Sequence, residues 1–295
     1  MRKSMPSSKR APMPSGKTYK TPQALRTALE ARLLEIANRT GTDLQRLRRR
    51  VAFDRLLARM FIEKQGRPAW CLKGGYAIEL RIETARTTKD IDLSIAGQEP
   101  IAPELLHRFV DDAVSRDLAD GFVFQVGESI LDLDAAAQGG SRFPVQARMA
   151  GRPFVGFHVD IGIGDDLIEP TDKIEGDGWF DFAGLPRPEF RMISREQQFA
   201  EKLHAYTRPR TDRDNSRVKD LVDLLLLMRT QMEPHRLREN IERTFAHRAT
   251  HPIPPELPPP PESWRVRFAE LAAQCGIDIE IDSALRSVNE YVRDL

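Results

Sequence analysis

Residues 70–95 read WCLKGGYAIELRIETARTTKDIDLSI, and this stretch decides the fold. The apolar run at 70–72 predicts a short buried strand, and the two glycines that follow Lys73 predict a turn. The residues at 76–82 are compatible with a helix, and a second strand is predicted at 90–95. A strand, a turn, a helix and a second strand are therefore expected in this order.

Two aspartates, Asp90 and Asp92, alternate with apolar residues in the second predicted strand. On a strand both carboxylates project from one face, about 7 Å apart at the backbone. They can converge on one hydrated Mg²⁺ or bridge two ions, and ions about 4 Å apart activate an attacking oxygen and neutralise a leaving pyrophosphate. The alternative interpretation is a solvated strand edge, the usual context of two aspartates at this spacing.

Lys73, Gly74 and Gly75 lie between the first strand and the helical segment. Glycines here let backbone N–H groups approach phosphate oxygens, and the beginning of a helix adds favourable partial charge. A Gly-Gly pair alone is usually only a turn. Its position before a short helix and a strand with two aspartates predicts that phosphate donors and metal ligands lie together.

Asp160 is a candidate third carboxylate. It lies on the polar face of a strand predicted at 154–163, whose other face is apolar. Such a carboxylate can accept the proton of an attacking hydroxyl or complete the shell of a second metal. The alternative is a solvent-facing side chain on a half-exposed strand.

The C-terminal half carries further charged candidates. Lys202 flanks an apolar helix stripe, and Asp220 and Asp223 share one face of the next helix. An ionised Asp223 among leucines is costly unless it is paired or used. One interpretation is a buried Lys–Asp pair between two helices, and the other is that Lys202 contacts triphosphate and an aspartate orients it. A basic run is a candidate rim for RNA phosphates or a solvated face; its members are Arg208, Arg210, Arg213, Arg217 and Lys219, with Arg46, Arg48, Arg49 and Arg50.

Composition sets the wider limits. The 45 Lys and Arg nearly balance the 44 Asp and Glu, so net charge predicts no polyanionic partner. The two cysteines lack metal or disulfide spacing, which favours a cytoplasmic protein. The longest apolar run, 224–228, is too short to span a membrane. The N-terminus, basic but without an apolar stretch, does not resemble a secretory signal.

The remaining pattern predicts an N-terminal part that mixes helices and strands and a C-terminal part of helices alone. Residues 1–20 are expected to be a disordered basic arm, 21–193 the mixed domain and 194–295 a helical domain interrupted by a proline-rich connector at 252–261. Outside 70–95, the predicted elements of the mixed domain are helices at 22–40, 43–65 and 102–117 and strands at 121–126, 143–150 and 154–163. The predicted helices of the C-terminal part begin after Ser194, run over 218–230 and 234–246, and end with two short ones.

Four motifs taken in order resemble the AbiEii/MenT nucleotidyltransferase toxins over roughly residues 65–230. They are Lys73-Gly74-Gly75, the segment from Arg86 to Asp92, Lys202-Leu203-His204-Ala205 and the segment from Lys219 to Asp223. The resemblance implies an α+β fold with a DNA polymerase β-like nucleotidyltransferase core, followed by a helical domain. It also implies a toxin of a toxin–antitoxin pair that transfers a nucleotide from an NTP to an RNA, with the 3′ end of tRNA as the expected acceptor.

The resemblance assigns roles residue by residue. Gly74 and Gly75 would hold phosphate, and Asp90 and Asp92 would bind Mg²⁺. The residues themselves add Lys73 to the phosphate site and Asp160 as the third carboxylate of a two-ion site. Lys202 with Asp220 or Asp223 would complete the NTP pocket, and the arginine that follows would be Arg208 or Arg210. Thr88 matches the residue that an antitoxin kinase modifies in related toxins. Tyr76 departs from the Ser or Thr that many members have after the glycines.

The implied partners are a cognate antitoxin protein and tRNA, with no membrane and no DNA. Two alternatives stay open on the residues alone. One is nucleotidylation of a protein or a small molecule, and the other is a non-catalytic protein that binds NTP or an antitoxin. Retention of all three candidate carboxylates argues against the second.

Overall fold

A computed structural model describes residues 18–63, 65–66, 68–96, 101–132, 139–209 and 217–295. The fold is α+β, as predicted, with a mixed sheet and helices in the first part and helices alone in the last. The helices are α1 Pro22–Thr40, α2 Leu44–Met60, α3 Gly74–Arg81, α4 Pro103–Val114, α5 Arg195–Thr207, α6 Val218–Met228, α7 Pro234–Arg248, α8 Trp264–Gln274 and α9 Ile281–Arg293. The strands are β1 Trp70–Lys73, β2 Asp90–Ile95, β3 Phe122–Val126, β4 Leu131–Asp132, β5 Gly140–Met149, β6 Arg152–Ile163, β7 Asp172–Glu175 and β8 Glu189–Met192.

Helix α1 confirms the capping signals of the sequence. The Thr21 side chain accepts a hydrogen bond from the backbone N–H of Ala24, Pro22 is the first helical residue, and Gly41 ends the helix with φ +70°. The expected course of α2 to residue 65 is wrong, because the helix ends at Met60. Phe61 caps it and packs on Phe190 of β8. The arm predicted at 1–20 lies outside the described residues as far as residue 17.

The strands form one sheet in the order β3-β5-β6-β2-β1-β8-β7, with β4 paired to β5. Strand β2 is parallel to β6 and antiparallel to β1. The register places Asp90 beside His158 and Asp92 beside Asp160 on β6, while Lys73 of β1 lies on the other side of Asp92. The topology therefore brings the candidate residues of three distant segments to the middle of the sheet.

The two faces of the sheet differ in character. Along β5, buried and partly buried residues alternate strictly. The buried face packs with α1, α2 and α4 into one apolar core, and the other face of β5 carries Arg142, Pro144 and Gln146. A second apolar cluster joins α5 to α9 with Ile78 and Ala85. A functional site on the sheet is therefore expected on its polar face, because the other face is packed in the core.

The described helices and strands also correct some expectations. Gly74 and Gly75 begin α3 directly instead of forming a separate turn, because the chain enters the helix from the extended Lys73. The short strands β4, β7 and β8 were not predicted. Both cysteines, Cys71 and Cys275, are buried free thiols. Among the described residues, no helix is long and apolar enough to cross a membrane.

Candidate active site

The site is built around the contact between Gly74 and Asp92. Gly74 has φ +67°, and a Cβ placed there would lie 1.9 Å from Asp92 Oδ2. Only glycine therefore allows the beginning of α3 to approach this carboxylate. The carbonyl of Gly74 accepts a hydrogen bond of 2.8 Å from the Gln198 side chain of α5, which ties the same backbone to the helical part.

Three carboxylates lie on the polar face of β2 and β6, as predicted. Asp90 and Asp92 are two residues apart on β2, and Asp160 is the register partner of Asp92. Arg142 of β5 binds Asp160 through two hydrogen bonds of 2.7 and 2.6 Å, and its Nη2 lies 4.0 Å from Asp90 Oδ2. Asp160 is thus neither solvent-facing nor open to a metal in this arrangement.

The pKa of Asp92 is raised from its ordinary value. Burial raises the pKa of Asp92 to about 6, and the charges of Asp160 and Asp90 act in the same direction. The ammonium groups of Lys202 and Lys73 lower the pKa of Asp92. A cation bound at this position would relieve the repulsion among the carboxylates.

The donor chemistry fits a metal at two of the three carboxylates. Asp90 and Asp92 offer hard oxygen ligands on one face of a strand, the kind that Mg²⁺ prefers. Within the described ranges, no group of three or more His, Cys, Asp or Glu side chains is arranged to hold a metal ion. A site that also includes Asp160 remains a prediction, and it requires Arg142 to release that carboxylate.

Lys73, a predicted phosphate ligand, is held by an acid. Its Nζ binds Asp165, which follows β6 and also accepts hydrogen bonds from Ser94 Oγ at 2.5 Å and from Arg248 of α7 at 3.2 Å. Burial alone would raise the pKa of Asp165, but the charges of Lys73 and Arg248 outweigh it and hold this pKa at about 2. Asp165 therefore positions a cation of β1 and a cation of α7 together.

The helical part supplies a second buried charge network. Lys202 Nζ lies 2.8 Å from Asp220 and 2.9 Å from Asp223, and Arg86 donates two hydrogen bonds of 2.8 and 2.7 Å to Asp223. Burial alone would lower the pKa of Lys202, but Asp220 and Asp223 raise it above its usual value. The predicted Lys–Asp pairing is therefore present, and Arg86 extends it to the mixed part of the chain.

Thr88 is enclosed between the two motifs. Its Oγ1 donates to the carbonyl of Asp90 at 3.3 Å, and its backbone N–H donates to Glu79 of α3 at 3.2 Å. A Cβ on Gly75 would lie 2.8 Å from Thr88 Oγ1, so the second glycine makes room for this hydroxyl. Tyr76 points away into the core, where it packs edge-on against Phe53.

Most of the described arginines of the basic rim expected from the sequence form ion pairs within the protein. Arg46, Arg48 and Arg50 pair with Glu79, Glu30 and Asp177, and Arg217 pairs with Asp220. Arg208 caps α5, whereas Arg210 and Arg213 lie outside the described residues. Sequence reasoning missed the roles of Arg142, Asp165 and Arg248, whose partners are brought to them only by the fold.

A cleft of about 890 Å³ lies beside Asp90, on the side of β2 away from β1. Its wall includes Arg49 of α2, Lys89, Asp90 and Arg142. The site thus has an enclosed side at Gly74 and Lys202 and an open side at this cleft.

Comparison with known proteins gives one family. The family model described as nucleotidyl transferase AbiEii toxin, type IV TA system, matches residues 55–290. No curated protein matches the chain. A candidate nucleotidyltransferase from H. pylori, known from a crystal structure, has a TM-score of 0.43 and 14% identity over 86% of this chain and 98% of its own. The crystal structure of JHP933 from Helicobacter pylori has a TM-score of 0.45 and 15% identity over 86% of this chain and 95% of its own.

Proposed function

Since the chain belongs to the family of AbiEii nucleotidyl transferase toxins of type IV toxin–antitoxin systems, we propose that it transfers a nucleoside monophosphate from an NTP to an RNA. The proposed acceptor is the 3′ hydroxyl of tRNA, and the proposed metal is Mg²⁺. The observation that carries the proposal is the close approach of Gly74, at the beginning of α3, to the carboxylate of Asp92. That contact supports the proposal, because the beginning of a helix is suited to bind phosphate and here lies beside candidate metal ligands.

The chemistry is a displacement at the α-phosphorus of the NTP. A bond forms between the 3′ oxygen and the α-phosphorus, and the bond from that phosphorus to the oxygen that bridges it to the β-phosphorus breaks. Pyrophosphate leaves, and the hydroxyl proton passes to a carboxylate of the site, for which Asp160 is the proposed acceptor once Arg142 moves away. Asp90 and Asp92 would hold Mg²⁺, which supplies stabilisation of charge on the phosphoryl oxygens.

The cations of the enclosed side are suited to the triphosphate. Lys202 stays protonated because Asp220 and Asp223 raise its pKa, and its positive charge lowers the pKa of Asp92. Lys73 is on the other side of Asp92, where the phosphates would replace or share its contact with Asp165. Arg86 and Asp223 act through Lys202, which they hold in place.

The test is transfer of label from each NTP in turn, labelled at the α-phosphate, to total tRNA in the presence of Mg²⁺. Mass spectrometry first establishes that Thr88 is unmodified. We expect labelled tRNA with the unaltered protein and none with Asp92→Asn, whereas Asp282→Asn on α9, which changes an exposed aspartate, serves as the matched control. Label that appears only in proteins or small molecules, or no label with any NTP, would overturn the proposed acceptor.

The family also supplies a biological setting. A toxin of a type IV system implies an antitoxin partner, and a tRNA acceptor implies action in the cytoplasm with loss of translation and growth. Expression of the unaltered chain should stop growth, and Asp92→Ala should not. Unchanged growth arrest by Asp92→Ala would favour the non-catalytic alternative, in which binding alone is toxic.

A further inference from the structure

The cleft beside Asp90 crosses four strands at one level. Gln125 of β3, Gln146 of β5 and Gly156 of β6 are consecutive register partners, and the next step along β6 is His158, the partner of Asp90 on β2. All of them line the cleft. The side chains of Gln125, Gln146 and His158 share one face of the sheet, whereas the opposite face is buried in the core. The cleft is therefore a track along this face that leads to the first carboxylate of the site.

Positive charge is concentrated along this track. Lys89 is exposed at the entrance to β2, and Arg142 and Arg49 complete the cationic wall. The buried Nε of Arg49 has no hydrogen-bond partner in the described part of the chain. Asp90 is the acid of the lining, and Gly156, which is exposed, keeps the floor free of a side chain. The lining suits a ligand with negative charge and hydrogen-bonding edges.

The order of the strands indicates which of the two substrates, the NTP or the acceptor, occupies this cleft. Strand β1 and helix α3, which approach Asp92 from one side, lie opposite β6, β5 and β3. In phosphoryl-type transfer the attacking and leaving oxygens are roughly in line on opposite sides of the phosphorus. If the triphosphate occupies the side of Gly74 and Lys202, the attacking hydroxyl arrives from the side of β6, where the cleft ends at Asp90.

We propose that this cleft binds the single-stranded 3′ end of the acceptor RNA, with Lys89, Arg49 and Arg142 on its phosphates and Gln125, Gln146 and His158 on its bases. The proposal rests on the proposed function, whose acceptor it places. Side-chain amides suit the donors and acceptors of unstacked bases, and cations suit the backbone. A peptide acceptor is disfavoured, because the wall carries three cations and one acid.

Arg142 links the cleft to the carboxylates. In the free protein its guanidinium binds Asp160. An RNA strand whose phosphate attracts Arg142 would free Asp160 at the moment when the 3′ hydroxyl of the RNA reaches the site. Arg142 is thus a positioning residue that couples acceptor binding to the third carboxylate.

Binding of RNA without transfer tests the proposal. Fluorescence anisotropy of a labelled single-stranded RNA is measured with the full chain over a range of salt concentrations, without NTP. We expect Lys89→Gln with Arg49→Gln to weaken binding about tenfold and to reduce the slope of log affinity against log salt by about 1.4, the value for two phosphates of a single strand. Gln146→Glu, which adds a charge but no bulk, should weaken binding as well.

Matched controls separate the cleft from general charge. Lys173→Gln with Arg293→Gln removes two exposed cations elsewhere, and Gln231→Glu adds an acid elsewhere. These variants should bind RNA like the unaltered chain, and all variants should bind NTP alike. Equal weakening by cleft and control variants, unchanged binding in the cleft variants, absence of RNA binding by the unaltered chain, or binding of an acidic peptide in place of RNA would each overturn the proposal.

The same variants distinguish this proposal from the proposed function. RNA that binds in the cleft but is never labelled would leave the cleft assignment standing and remove the transfer reaction. RNA that is labelled by the cleft variants as fast as by the unaltered chain would remove the cleft assignment and leave the transfer reaction standing.

Discussion

The backbone of Gly74 and the carboxylate of Asp92 are in direct contact. A Cβ at Gly74 would lie 1.9 Å from Oδ2 of Asp92 and 2.4 Å from its Cγ. Gly74 is the first residue of α3, directly after β1, and Asp92 lies on β2, the strand paired with β1. Two features therefore require glycine at position 74, namely the Asp92 carboxylate opposite it and the positive φ of the residue itself.

Gly74→Ala should displace Asp92 and stop catalysis. The methyl group cannot share its position with the carboxylate, and displacement of a reacting group by about 1 Å can cost about 10²-fold in rate. We expect transfer to fall by at least this factor, measured as labelled RNA formed per minute. Gly41→Ala is the matched control, because Gly41 has φ +70° but nothing within 4 Å of the added Cβ.

Both glycine variants should lose about 1–2 kcal/mol of stability from the left-handed backbone conformation. Only the Gly74 variant should lose activity. Full activity of Gly74→Ala would mean that Asp92 is not held where the reaction needs it.

Removal of one partner of the Arg86–Asp223 pair should strongly destabilise the fold. Arg86 is 8% exposed and Asp223 is 1% exposed. Asp223→Ala leaves the buried Arg86 without this carboxylate, and Arg86→Ala leaves the buried Asp223 with Lys202 but without its two hydrogen bonds from Arg86. Arg86→Ala or Asp223→Ala should each lower the free energy of unfolding by about 3–5 kcal/mol. Urea unfolding measures this, and the double variant should cost less than the sum of the two.

A surface pair provides the comparison. Arg265 and Asp282 are bound at 2.8 Å, but their side chains are 43% and 49% exposed. Arg265→Ala should change the unfolding free energy far less than Arg86→Ala does, because solvent screens an exposed pair. A similarly small effect of Arg86→Ala would show that the buried network does not join α6 to the mixed part.

Asp165 should make stability depend on pH in the acid range. Its pKa is held at about 2 in the folded protein, whereas an unperturbed aspartate has a pKa near 4. A depressed pKa contributes stability that is present above the unfolded value and is lost as pH falls through the folded value, here between about 4 and 2. The contribution at neutral pH is of the order of 2 kcal/mol.

Asp165→Asn should remove this contribution. Urea unfolding at pH 7 should show the variant less stable than the unaltered chain, and the difference should shrink as pH falls below about 4. Asp278→Asn, which alters an exposed aspartate, should show no such change with pH. A difference that stays constant down to pH 2 would mean that the Lys73–Asp165 pair does not contribute through charge.

Local patterns were sufficient for the long, periodic elements. Strand β2 has the predicted bounds, because apolar and polar residues alternate strictly over 90–95. Helix α1 begins and ends at its capping residues for the same local reasons. The two-residue strand β4 and the four-residue strands β7 and β8 carry too little periodicity to be predicted, and they pair through neighbours that only the fold supplies.

The candidate site divides in the same way. Lys73, Gly74, Asp90 and Asp92 come together as predicted because they lie within one strand–helix–strand unit. Arg86 and Asp223 are 137 positions apart, so no local pattern connects them. The contact between Arg142 and Asp160 is likewise absent from any local pattern, because only the pairing of β5 with β6 brings these two side chains together.

Thr88→Glu should inactivate the enzyme. Thr88 is 9% exposed, and its hydroxyl lies between Gly75 and the carbonyl of Asp90. A carboxylate here adds negative charge and bulk beside Asp90 and Glu79, as a phosphate would with about −1.5 to −2 charges. We expect loss of both NTP binding and RNA labelling, whereas Thr88→Ser, which keeps the hydroxyl, should retain them. Thr84→Glu places the same charge on an exposed residue of the loop before β2 and should remain active. Inactivity of Thr88→Ser would assign Thr88 a packing role, and full activity of Thr88→Glu would remove it as a point of control by an antitoxin.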